Sequence, residues 1–179
     1  MGKLSVPHIW SMRIWFLGLA LAIMFFHLLP LDTQPRRWAP PDLLIAFGFA
    51  WIMRRPDYVP AFLLAGVMLL ADLLFQRPPG LLALLVVLGS EYLKNQAAGL
   101  SEASFVGEWI SVCFVIAAIT LLYRLVLTLT LVQQAPLALN LIQMVLTMVV
   151  YPLVVFVTQT LMGVRRLSPG DAEVFGARG

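Results

Sequence analysis

Pro40 to Gly80 reads PPDLLIAFGFAWIMRRPDYVPAFLLAGVMLLADLLFQRPPG. Two apolar runs are divided by Arg54, Arg55 and Pro56, and each run carries an aspartate near its outer end, Asp42 and Asp72. Proline cannot continue a helix but suits its first positions, so Pro40 and Pro41 mark a helix start. The first run, 42–53, is twelve residues long and makes about 18 Å of helix. That is short of the roughly 30 Å hydrocarbon core of a bilayer. This run is therefore a thin or partly buried span, or a re-entrant element. The second run, 58–75, is long enough to approach a full crossing.

The rest of the chain has the same character. Of 179 residues, 61% are hydrophobic and 12% charged, where a soluble domain is about half apolar and a quarter charged. Mean hydropathy is +0.91. Too little polar surface remains to coat a water-soluble globule, so the fold class is an all-α integral membrane bundle. Continuous apolar runs argue against a β-barrel, whose strands would alternate. The formal charge of +3 gives no reason to expect a nucleic-acid partner.

About six spans are expected, at 14–31, 42–53, 58–75, 80–93, 109–132 and 139–163. They form one domain over 1–163, followed by a short tail, 164–179. The basic start (Lys3, Arg13) leads into a long apolar run without a cleavage pattern, which reads as a retained first span. Basic residues set orientation. With both ends inside, Lys3, Arg13, Arg54, Arg55, Lys94, Arg165, Arg166 and Arg178 are cytoplasmic and Arg36, Arg37 and Arg77 are outside. That bias favours N-in, C-in, and it requires the short second run to cross.

Several polar or small residues lie within the apolar runs. Gly18 and Ala22 form a small-xxx-small pair that admits close helix approach, either inside the bundle or toward a partner. Asp72 shares a helix face with Ala61 and Ala65, since seven and eleven residues nearly close full turns. That face should turn to a helix, because a lipid-facing carboxylate is expensive. Arg124 lies on a face with Cys113, Ala117, Thr120 and Thr128, and span six carries Asn140, Gln143, Thr147, Tyr151 and Thr158. Asp72, Arg124 and Asn140 are expected to form an intramembrane polar cluster, with Arg124 paired to Asp72 or, second, to Asp42. Asp42 at a helix start also serves as an N-cap, and Arg124 can snorkel to headgroups. The arginine pairs 54–55 and 165–166 suit anionic lipid first and protein second.

Catalytic chemistry has little to build on. His8 and His27 are isolated, no HExxH, GxSxG or phosphate-loop pattern occurs, and Asp42 and Asp72 are far apart for a paired-carboxylate metal site. The one cysteine, Cys113, leaves no disulfide or cysteine metal site. No cofactor, metal or catalytic residue is expected, and the protein reads as non-enzymatic.

The ordered set Pro41-Asp42-Leu43-Leu44, Arg54-Arg55-Pro56, Gly66, Asp72-Leu73-Leu74 and Pro79-Gly80-Leu81 resembles the rod shape-determining MreD family over residues 40–90. The second half is similar in length, span count and apolar character only. The resemblance implies a scaffold of the bacterial rod complex, or elongasome, in the cytoplasmic membrane. It would help control cell shape and lateral peptidoglycan synthesis. The partners it implies are MreC first, then MreB, RodA and its penicillin-binding protein. It also implies a fold similar to the substrate-binding components of energy-coupling-factor vitamin transporters. A ligand-binding transporter component is accordingly the alternative function, with Asp72, Arg124 and the span-six stripe lining its pocket.

Overall fold

The computed structural model describes residues 6–29, 39–99, 105–132 and 134–161. Lys3, Arg36, Arg37, Arg165, Arg166 and Arg178, used above for orientation, and the tail 164–179 lie outside the described residues. All regular structure there is helical: α1 Val6–Leu28, α2 Leu43–Arg54, α3 Ala61–Leu74, α4 Leu81–Gly99, α5 Phe105–Leu129 and α6 Leu137–Leu161, with a 3-10 turn at Pro56–Tyr58. Three stretches, His8–Leu28, Phe105–Leu129 and Leu137–Thr160, are long and apolar enough to cross a membrane, whereas α2 and α3 are shorter apolar helices.

The short helix α2 is the axis of the molecule. Ten of its twelve residues are buried. Ala46, Phe49, Ala50, Trp51 and Ile52 have no exposed surface at all. A helix that is apolar all round belongs inside, and here the surrounding bundle supplies the apolar environment. The sequence left open whether the run was thin, partly buried or re-entrant; the structure buries it almost completely. It packs on α4 and α6 and more lightly on α1, while α3 packs on α4, α4 on α5 and α5 on α6.

Successive helices alternate in direction. Arg13, early in α1, donates from Nε (3.2 Å) and a terminal guanidinium nitrogen (3.0 Å) to the Asp57 carbonyl beyond the end of α2. At the other end of α1, the His27 ring stacks at 4.5 Å on Phe75, just past α3. Phe16 between them packs its ring 5.5 Å from Trp51. Residues 6 and 161 thus lie at the same end of the bundle, together with Arg54. The other end holds Asp42, Asp72, Arg77 and Arg124.

Several boundaries differ from the sequence reading. α4 runs on to Gly99, past the expected end at 93, and α5 starts at Phe105, ahead of the expected 109. The added turns are polar but helix-favouring. Lys94 Nζ reaches Glu91 Oε1 at 2.8 Å, Gln96 Nε2 donates to the Tyr92 hydroxyl at 2.8 Å, and Ser111 bridges back to Gln96 at 3.4 Å. α3 opens at Ala61 and not at Tyr58, because Pro56 sets a 3-10 turn and Pro60 then stands at the N-cap.

α6 contains Pro152, which lacks an N–H and leaves the carbonyl four residues earlier without its helical donor. That carbonyl belongs to Met148, and the Trp109 indole Nε1 donates to it at 2.9 Å. A neighbouring helix thus satisfies the freed group, the usual condition for proline inside an apolar helix.

Close helix approach occurs where α4 meets α5, at Gly89. A Cβ there would sit 2.7 Å from Val115 Cγ1 and 3.0 Å from Ile119 Cδ1. Gly18 and Ala22, by contrast, are exposed, with nothing within 4 Å of a Cβ built on Gly18. This corrects their reading as an internal packing face: α1 buries Phe16, Ala20 and Met24 instead. Gly66 also faces open space. Gly89→Val is expected to destabilise the bundle by about 1–3 kcal/mol, the usual cost of overpacking. Val115→Ala in the same chain should restore much of the loss in thermal unfolding, which isolates the steric cause.

The outward faces are apolar. Ile14, Trp15, Phe25 and Phe26 on α1, Phe114 and Leu121 on α5, and Val149, Leu153 and Phe156 on α6 are all exposed. Large apolar side chains exposed along three long helices are compatible with membrane insertion.

Candidate functional site

The end of the bundle where α2 begins is built on two aspartates. Asp42 accepts from the Ile45 N–H at 3.2 Å through Oδ1 and so caps α2. Its own N–H donates to Thr147 Oγ1 at 2.9 Å, and that hydroxyl donates in turn to the Gln143 carbonyl at 2.7 Å. The start of α2 is thereby tied to the polar stripe of α6.

Asp72 is fully buried near the end of α3. Its Oδ2 accepts from the Gly80 N–H at 3.1 Å and the Ala83 N–H at 3.2 Å, two of the free donors that open α4. It therefore acts across the turn as a cap for the next helix, where a carboxylate also favours the helix dipole. Gly80 makes this possible with φ +87°, a conformation that strongly favours glycine. Ala61 and Ala65 on the same face of α3 are half-buried.

The expected Arg124–Asp72 pair does not form. Asp72 is occupied by backbone donors, and Arg124 donates to the Ala135 carbonyl at 3.3 Å. Arg77 meets an aspartate instead, 3.7 Å from Asp42 Oδ2 and with its guanidinium 5.2 Å from the Phe75 ring centre. The C-terminal turn of α3 brings it there. Arg77 N–H returns to the Asp72 carbonyl at 2.9 Å and Gln76 N–H to Leu73 at 3.3 Å, with Gln76 at φ +54°. This is a Schellman closure with glutamine where glycine is usual. α5 ends the same way, with Leu131 at φ +55°.

Two cavities flank these residues. One of about 660 Å³ lies between α1 and α6 and is walled mainly by apolar side chains, among them Ile23, Phe26, Leu44 and Leu146. The other, about 280 Å³, lies among α2, α5 and α6 and is lined by Arg124, Asn140, Thr120 and Thr147. Asp42, Arg77 and Gln143 line both. Of the expected polar cluster, Arg124 and Asn140 thus share a chamber with Asp42 and Arg77, while Asp72 stands apart, engaged with α4.

The opposite end holds a second polar group that the sequence reading missed. Arg54 and Glu108 are buried, with a guanidinium nitrogen 3.5 Å from Glu108 Oε1, and the Tyr151 hydroxyl donates to the same oxygen at 2.7 Å. A cavity of about 400 Å³ adjoins them. Arg54 was expected to contact lipid or a partner; its 4% exposure corrects that. The guanidinium turns inward because α5 offers a carboxylate there. Arg55 is half-buried, with its N–H donating to the Trp51 carbonyl at 2.8 Å, and Pro56 begins the 3-10 turn. Pro79 is exposed next to Gly80.

Among the described residues, no group of three or more histidine, cysteine, aspartate or glutamate side chains is placed to hold a metal ion. Cys113 is a half-buried thiol on α5. No protein-family model, curated protein or solved structure matches this chain.

Proposed function

We propose that this protein is a non-enzymatic membrane scaffold of the kind its resemblance to the MreD family implies. In this reading all six helices lie in a bacterial cytoplasmic membrane with both ends on the cytoplasmic side. The chain acts in the rod complex by contacts with partner helices, MreC foremost, and through it with MreB, RodA and its penicillin-binding protein.

The observation that carries the reading is how the motif residues are used. Asp42 caps α2, Asp72 and Gly80 join α3 to α4, and Arg54 locks α2 to α5. These four motif residues fasten a bundle built around a buried axis, which is what an assembly element requires. The alternating helices, with residues 6 and 161 at one end, suit an even number of crossings.

Depleting the protein from a rod-shaped bacterium is expected to round the cells, and affinity purification from membranes is expected to recover MreC. Cells that keep rod shape and growth rate after full depletion would sink the proposal. The paired cavities at the Asp42 end favour one second reading, a substrate-binding transporter component. A saturable rise in melting temperature with a water-soluble vitamin would select it, and no such rise is expected of a scaffold.

A further inference from the structure

The two chambers at the Asp42 end differ in chemistry and share a wall. The smaller carries two guanidinium groups, Arg77 and Arg124, against one carboxylate, Asp42. Each guanidinium has five N–H donors. Arg124 places one on the Ala135 carbonyl at 3.3 Å, and Arg77 stands 3.7 Å from Asp42, beyond hydrogen-bond distance. Asn140, Gln143 and Thr120 add neutral donors and acceptors. The larger chamber is more than twice the size and mostly apolar. It sits where α1 packs on α2 and α3 while α6 packs on α2 and α5, so that α1 and α6 face each other across it without a packed seam.

We propose that this pair of chambers binds one anionic phospholipid. Its phosphate sits between Arg77 and Arg124, where a guanidinium fork matches phosphate geometry. Asn140 and Thr120 take the headgroup hydroxyls, and an acyl chain occupies the gap between α1 and α6. Charge complementarity selects the anion, since the polar chamber has one positive charge in excess. The apolar chamber selects the tail, because a free water-soluble anion would leave its walls bare. The proposal rests on the membrane reading of the chain and not on its place in the rod complex.

The test uses the full chain purified in a neutral detergent, titrated with short-chain dihexanoyl-phosphatidylglycerol and followed by thermal unfolding. A saturable rise in melting temperature is expected. Dihexanoyl-phosphatidylcholine, which has the tails without the net charge, and glycerol 3-phosphate, which has the anion without tails, are expected to give none. Arg124→Gln should weaken the phosphatidylglycerol response at least roughly tenfold in midpoint concentration. Leu146→Trp, which fills the tail chamber and leaves every charge in place, should weaken it comparably. An equal response to phosphatidylcholine would overturn the proposal by showing a tail site without charge selection. An equal response to glycerol 3-phosphate would overturn it by showing a free-anion site. Parental response in both variants would place the lipid elsewhere. Cell shape and lipid binding are read in separate assays, so either proposal can fail alone.

Discussion

Purified Glu108→Leu protein is expected to unfold at a markedly lower temperature than the parent, with a loss of about 3–5 kcal/mol. The magnitude follows from what remains behind. Arg54 is 4% exposed, and its guanidinium lies 3.5 Å from Glu108 Oε1. Its Nε has no hydrogen-bond partner even with Glu108 present. Leucine would leave the cation buried without its counter-charge and would take the acceptor from Tyr151. Glu108→Gln keeps an oxygen for Tyr151 and should cost less. The decisive variant is the double one, Arg54→Met with Glu108→Leu, since exchanging an entire buried ion pair for apolar side chains is often neutral. It should recover most of the loss. A double variant that melts as low as Glu108→Leu alone would show that the cost is one of shape and not of charge.

Asp72→Ala is expected to cost about 2–4 kcal/mol, from one buried and one part-buried N–H at the start of α4 left without an acceptor. Those donors are Gly80 and Ala83, at 3.1 and 3.2 Å. Asp72→Asn keeps one carbonyl oxygen facing the same pair and should lose less than half as much. Hydrogen exchange supplies the specific readout: amides in the first turn of α4 should lose protection in Asp72→Ala while those of α6 keep theirs. Uniform loss across the protein would mean that Asp72 acts through global packing and not as a cap.

The helical class and the places where the chain turns were legible because proline, arginine and glycine punctuate apolar runs that are otherwise continuous. Asp42 as a cap was legible for the same reason, since its role lies within three residues of sequence. What escaped was whatever depends on partners far along the chain. Asp72 was read toward Arg124 by charge, yet the backbone donors of α4, brought near by Gly80, are closer. Arg54 was read toward lipid because its counter-charge, Glu108, comes 54 residues later beside a polar connector and carries no local signature. Small-residue spacing at Gly18 and Ala22 left an internal and a partner-facing seam open; only the internal one is overturned, because the same four-residue interval also relates Phe16, Ala20 and Met24, the face that is buried. The close approach of Gly89 to Val115 and Ile119 marks the seam between α4 and α5, whereas Gly18 and Gly66, in apolar runs of the same kind, face open space.

The short third helix has a consequence for the surrounding lipid. α3 has 14 residues, about 21 Å of helix, and it shows Phe62, Leu69, Leu70 and Leu73 on its outer face. α1, α5 and α6, with 23 to 25 residues, reach well beyond that. In the membrane proposed above, lipid beside α3 would meet a shorter apolar face than lipid beside α5 and α6, at a cost of fractions of a kcal/mol per Å. In the membrane proposed for this chain, the thickness that suits α5 and α6 would therefore not suit α3, and the bilayer would be uneven around the bundle.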